Sequence, residues 1–159
     1  MLEVWIMRHG EAADPDQAAS DAERPLTELG RRQVGGLARW LMARTAPPER
    51  ILHSALKRAR QTANLFADEL QALDLLQESA VMAPGMTAQR LLQELAATAD
   101  SRVLCVGHQP DIGRCVAEMI GGGRFTIAPG FCAAITFRGP IVVGAGSLQW
   151  VCDPDWFGH

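Results

Sequence analysis

The sequence predicts an α/β protein: a three-layer sandwich with a mostly parallel central sheet and an antiparallel edge. Three observations predict it. Short apolar runs rich in strand formers (Leu2 to Met7, Ile51 to His53, Val103 to Val106) alternate with longer stretches whose apolar residues recur at helical spacing. The last run is apolar throughout and the first is broken only by Glu3, as expected of strands buried on both faces. The final third carries no long helix, and its two strand-like runs, Phe131 to Phe137 and Gly146 to Cys152, meet through Gly139-Pro140 in the manner of a hairpin.

Taken in order, Leu2 to Met7 is a buried first strand cut off by Arg8-His9-Gly10. Glu11 to Arg24 is polar, with proline and three aspartates, and reads as an excursion loop. Thr27 caps a first helix whose stripe is Val34, Leu37, Ala38, Leu41 and Met42, and Pro47-Pro48 ends that element. Ile51 to His53 is a second strand and Ser54 a cap for the next helix, which the spacing of Ala59, Ala63, Phe66, Ala67, Leu70 and Leu73 extends from Leu56 to Leu76. Ala80 to Ala83 reads as a short extended piece. Thr87 to Ala99 is a third helix on Leu91, Leu92 and Leu95. Val103 to Val106 is a buried strand ending at Gly107-His108-Gln109-Pro110. Pro110 suits the first turn of a fourth helix, which Gly121-Gly122-Gly123 stops.

The 159 residues fit one domain, 1–159, large enough to bury a core without staples. Hydrophobic residues at 48% and charged residues at 21% exclude disorder and coiled coil. A net charge of -3 and a pI near 5.8 provide no bulk cationic field for nucleic acid or a membrane surface. Lys57 is the single lysine among 15 basic residues, so an anion bound here meets forked guanidinium donors. Cys105, Cys115, Cys132 and Cys152 are widely spaced without a C-x-x-C, which predicts buried reduced thiols. Arg8 and Glu11 come too early for a signal peptide, and no apolar run reaches a membrane span, so the expected location is cytoplasmic.

The chemistry-bearing residues fall at strand ends. His9 follows the first strand and His108 the fourth, each beside a glycine, and ligands of open α/β sheets bind outside the carboxyl ends of strands. Arg8 can fork onto two oxygens of a phosphoryl group, and Gly10 lets the backbone approach an anion closely. Lys57-Arg58-Ala59-Arg60 opens the second helix, where the macrodipole disfavours fixed positive charge; a bound anion there would compensate. Arg24, at the end of the polar loop, is a candidate rim contact to substrate, with a salt bridge at the start of the first helix as the equal alternative. His53 reads as a strand-end residue under the fold and His159 as irrelevant to the site. Trp5 and Trp40 fit core positions, Trp150 and Trp156 the C-terminal edge. No histidine has metal-ligand spacing, and neither metal nor cofactor is expected.

Arg8-His9-Gly10 after the first strand, Ser54-x-x-x-Arg58-Ala59-x-Gln61-Thr62-Ala63 and Gly107-His108 together resemble the histidine phosphatase superfamily. Arg8-His9-Gly10-Glu11-Ala12, Arg24-Pro25-Leu26-Thr27-x-x-Gly30, the length and a final Leu148-Gln149-Trp150 strand are most similar to its compact SixA-like phosphohistidine phosphatases. The resemblance covers residues 2 to about 153. It implies a phosphoglycerate-mutase-like fold and a metal-independent phosphatase. His9 would attack phosphorus to form a covalent phosphohistidine, and Arg8, Arg58 and His108 would surround the phosphoryl oxygens. The implied substrate is a phosphorylated protein such as a histidine phosphotransfer domain. A small-molecule phosphomonoesterase, a mutase and a non-catalytic phosphate-binding module are the rivals.

One departure bears on the substrate. Relatives that cleave phosphate esters usually place a carboxylate between the second arginine and second histidine, or directly after that histidine. Here Val81 to Thr87 has none and Gln109 follows His108, leaving Glu11 and Glu78 as the nearest acids. An alkoxide needs a proton from a positioned acid, whereas a phosphorylated imidazole can leave as a neutral ring. The missing acid favours a P–N substrate.

Overall fold

The structure, a computed structural model, describes residues 1–157. A mixed six-stranded sheet is covered by four helices. In chain order the strands are β1 (Leu2–Arg8), β2 (Arg50–His53), β3 (Leu76–Glu78), β4 (Arg102–Gly107), β5 (Cys132–Phe137) and β6 (Ser147–Cys152). The helices are α1 (Glu28–Met42), α2 (Lys57–Leu70), α3 (Ala88–Ala96) and α4 (Asp111–Met119). The sheet order is β3-β2-β4-β1-β5-β6. The first four strands of that order run parallel and β5 and β6 form the antiparallel edge, as the fold class requires.

Strand alternation divides the core in two. Trp5, Met7, Leu104 and Val106 face Val34, Leu37 and Leu41 of α1 and Ala59, Ala63 and Phe66 of α2. Val4, Ile6, Val103 and Cys105 face Leu91, Leu92 and Leu95 of α3 and Ile112, Val116 and Met119 of α4. Trp5, fully buried, meets Phe66 and Trp150 edge-on, at centroid separations of 6.3 and 5.4 Å. Trp40 is half-buried with Arg44 over its ring, and Trp156 is exposed. All four cysteines are free and buried.

Local chemistry sets the boundaries. Thr27 and Thr87 cap α1 and α3, each hydroxyl accepting from the backbone N–H three residues on. Past α4, Gly121, Gly122 and Gly123 all take positive φ, the conformation for which glycine is suited. Three expectations are corrected. The second helix does not run to Leu76: Gln71 turns left-handed at φ 54°, and Leu76–Glu78 becomes β3, paired with β2. Leu73 prolongs the apolar stripe beyond that turn, which is why periodicity overran it. The segment Ala80–Met82 is therefore a 3-10 turn rather than an extended piece. Ser54 does not cap α2 either; Leu56 holds the cap position, and the Ser54 hydroxyl accepts from the Leu56 N–H.

A close approach fixes the loop after β1 against α1. A Cβ on Gly30 would lie 2.1 Å from the Glu11 carbonyl oxygen, whereas one on Gly36, in the same helix, would meet nothing within 4 Å. The same substitution should therefore have opposite signs at the two positions. In denaturant unfolding, Gly30→Ala should destabilise by about 1–3 kcal/mol through overpacking. Gly36→Ala should stabilise by roughly 0.5–1 kcal/mol through restricted unfolded-state freedom and helix propensity.

Candidate active site

The site begins with a register. β1 and β4 are adjacent and parallel, with Arg8 opposite Gly107, so the next residue of each strand is a histidine. The His9 N–H continues the ladder to the Gly107 carbonyl at 3.1 Å. The two rings arrive side by side, 5.3 Å between centroids and inclined at 54°. β2 delivers α2 to the same edge: the Ser54 N–H donates to Val106, and α2 opens three residues later with Lys57 and Arg58.

His9 is buried and its ring is oriented by its own loop. Nδ1 lies 2.7 Å from the Gly10 carbonyl. That oxygen only accepts, so Nδ1 carries the proton and Nε2 presents a bare lone pair. Arg58 Nε donates to that lone pair at 3.3 Å. The loop is held in turn by α2. The Gly10 N–H donates to Thr62 Oγ1 at 3.1 Å, and the Thr62 hydroxyl donates to the Arg58 carbonyl at 2.7 Å. A Cβ on Gly10 would stand 2.7 Å from the Gly30 carbonyl, so the loop needs glycine here.

The polar loop closes onto Arg58. Arg58 Nη1 donates to the Asp21 carbonyl at 2.7 Å and Nη2 to the Asp21 carboxylate at 3.1 Å. Arg24 donates through Nε to the Ala13 carbonyl at 2.7 Å and through Nη1 to Asp21 at 3.0 Å. Gln33 accepts from the Glu11 N–H and Gln61 from the Leu26 N–H, at 3.1 and 2.7 Å. Lys57 pairs with Glu23 at the surface.

At this edge, two of the described side chains keep buried donors or acceptors without a protein partner. Arg8 Nη1 donates to the Ile127 carbonyl at 2.8 Å, but its Nε is unpaired, as are both ring nitrogens of His108. Such groups carry a desolvation cost of about 1–3 kcal/mol each unless a ligand meets them. Burial, then the nearby charges of His108, Arg58 and Arg8, pushes the His9 pKa down to about 3, against an opposing hydrogen bond to Gly10. Burial and Arg58 push His108 down to about 4, with Asp21 and Asp111 opposing. Burial and Arg58 also pull Arg8 below the usual guanidinium range. At neutral pH the site thus combines two arginines with two uncharged imidazoles, an arrangement suited to a tetrahedral oxyanion beside a nucleophilic nitrogen.

Of the residues singled out by sequence, Arg8, His9, Arg58 and His108 come together on this edge. Arg24 lies one step away, its guanidinium engaged by Ala13 and Asp21. His53 is buried at the end of β2 with Nδ1 on the Ser54 carbonyl, and His159 lies outside the described residues. Two of the nearby acids, Glu11 and Asp111, are engaged by other groups. Glu11 accepts from the Thr27 hydroxyl at 2.9 Å, and Glu78 is exposed on edge strand β3. Asp111 accepts from the Gly85 N–H and pairs with Arg114. Gln109 joins the Phe125 carbonyl to the Gly113 N–H. Sequence reasoning missed Asp21, Gln33 and the tying role of Thr62. The Gln61-Thr62 pair inside the arginine motif hinted at the last, while nothing local marks Asp21 among the loop's aspartates. Among the described residues, no three His, Cys, Asp or Glu side chains are grouped to share a metal ion, and no helix is long and apolar enough to cross a membrane.

The chain is similar to known proteins. Phosphohistidine phosphatase SixA of Escherichia coli (strain K12) is 37% identical over 163 aligned positions, covering 96% of this chain and 94% of that protein. A SixA homolog of Haemophilus influenzae is 34% identical, covering 76% and 78%. The structure of the protein histidine phosphatase SixA complexed with tungstate superposes with a TM-score of 0.85 at 31% identity, covering 97% of this chain and 98% of that one. Residues 4–119 match the histidine phosphatase superfamily, branch 1. The chain belongs to that superfamily.

Proposed function

We propose that this protein is a phosphohistidine phosphatase working through a covalent phosphoenzyme on His9. The observation that carries the reading is the His9 imidazole, fixed through Nδ1 and uncharged, with its Nε2 lone pair directed among Arg8, Arg58 and His108. That the structurally similar SixA forms a complex with tungstate, a tetrahedral oxyanion of phosphate shape, supports an oxyanion-binding reading.

In the first step, the His9 Nε2 lone pair attacks phosphorus as the bond to the leaving nitrogen breaks. The leaving imidazole, protonated beforehand on its other ring nitrogen, takes the electron pair and departs as a neutral ring with that single N–H. Arg8 and Arg58 donate to the equatorial oxygens, and His108 supplies a ring N–H, so charge is stabilised where it is spread. In the second step water attacks phosphorus, the Nε2–P bond breaks, and its electron pair returns to His9. The water's proton passes to phosphate or solvent.

The carboxylates bear on the substrate class. Asp21 is the acid carried onto Arg58, and its hydrogen bonds to Arg24 and Arg58 hold it below the usual carboxylate range. It has no proton to give an alkoxide at neutral pH. The site therefore suits a P–N bond, as in a phosphorylated histidine of a protein such as a phosphotransfer domain, over a P–O ester.

Three measurements test this. Protein quenched during turnover of a radiolabelled phosphodonor should carry label stable to alkali and labile to acid, absent from His9→Ala; label retained by that variant would overturn the nucleophile assignment. Phosphohistidine should be hydrolysed faster than alkyl phosphates by about 100-fold or more, the scale of a missing general acid, and the reverse preference would favour a phosphomonoesterase. Imidazole NMR should find His9 and His108 uncharged from pH 8 to about pH 5, since burial and the arginines lower both pKa values. A midpoint near that of free histidine would contradict the electrostatic account.

A further inference from the structure

We propose that Asp21 is a positioning residue that grips one end of the Arg58 guanidinium and thereby aims the opposite edge at the phosphoryl site on His9. The proposal rests on the reading of Arg58 as a phosphoryl ligand and extends it to a residue outside the motifs.

Asp21 meets Arg58 twice, with its carbonyl on Nη1 at 2.7 Å and its carboxylate on Nη2 at 3.1 Å. Those contacts take the end-on fork of the guanidinium. The side-on edge, Nε–H with the remaining Nη2 hydrogen, is left, and Nε already points to His9 Nε2 at 3.3 Å. When that lone pair forms a bond to phosphorus, the Nε–H is released to a phosphoryl oxygen, with the Nη2 hydrogen beside it. A guanidinium recognises oxyanions through such planar forks, so its rotation about the long side chain matters as much as its presence.

The grip is itself braced. Arg24 holds the other side of the Asp21 carboxylate at 3.0 Å and is anchored to the Ala13 carbonyl at 2.7 Å. On the helix side, Thr62 ties the Arg58 carbonyl to the Gly10 N–H. Arg58 is thus fixed at its backbone by α2 and at its tip by the loop. The Asp21 side chain is 62% exposed, and ion pairs with exposed partners contribute little to stability, so the consequence of this pair is orientation. It also gives Arg24 an indirect role through Asp21.

The test compares Asp21→Ala, Asp21→Asn and the loop control Asp16→Ala, an exposed aspartate of the same loop. The readouts are kcat and KM on phosphohistidine, inhibition by inorganic phosphate, and thermal melting. Asp21→Ala should lose about 10- to 100-fold in kcat, below the loss expected for removing a whole oxyanion donor, and should bind phosphate more weakly while melting near wild type. Asp21→Asn retains an acceptor for Nη2 and should recover most of kcat; Asp16→Ala should match wild type. Wild-type kcat in Asp21→Ala, or tighter phosphate binding, would overturn the proposal, the latter by showing that the carboxylate competes with the phosphoryl group. Equal losses in the Asn and Ala variants would also overturn it, pointing to charge in place of aim. Failure of the wild-type protein to hydrolyse phosphohistidine would strike the proposed reaction. The grip would then be judged by phosphate affinity, weakened in Asp21→Ala if it is right and unchanged or raised if it is wrong.

Discussion

Everything at the site depends on the parallel register of β1 against β4. Arg8 pairs with Gly107, and the ladder continues one step further through the His9 N–H to the Gly107 carbonyl. A slip of one residue would turn every side chain of one strand to the opposite face, exchanging Trp5 and Met7 for Val4 and Ile6 between two differently shaped cores. The hydrophobic division thus locks the register, and the register brings His9 beside His108. Burial of the strands on both faces and alignment of the site are one constraint seen from two ends.

The electrostatic character of the site follows from the same burial. A slightly acidic chain, net charge -3, gathers Arg8 and Arg58 beside two imidazoles at a sheet edge. Low water access and the arginines together keep both rings uncharged, which a nitrogen nucleophile requires. The strength of the cationic site is local. Elsewhere arginines pair with single carboxylates, at the surface in Arg39 with Glu69 and part-buried in Arg102 with Glu3.

Much of this was legible in the chain, for identifiable reasons. Buried strands announce themselves as short, mainly apolar runs, and Thr27, Thr87 and Gly121 to Gly123 act through their own backbone neighbours. Arg8, His9, Arg58 and His108 were visible because each sits at or just past a strand end, where topology converges. What misled was also local. The stripe through Leu70 and Leu73 continued in helical phase past Gln71, whose left-handed turn has no composition signal. Ser54 resembled a cap but serves the Leu56 N–H one turn early.

The sequence by itself determined the α/β class, the order of strands and helices, the four side chains brought to one edge and the superfamily, because these depend on periodicity, local capping and short motifs. Only the tertiary structure decided how the His9 ring is turned, which acid lies on Arg58, and that Thr62 ties α2 to the Gly10 loop. The last two join residues tens of positions apart, Asp21 with Arg58 and Gly10 with Thr62. Their partners are chosen by which segments the sheet order and the close Gly10–Gly30 packing bring together, information that no single stretch of the chain contains.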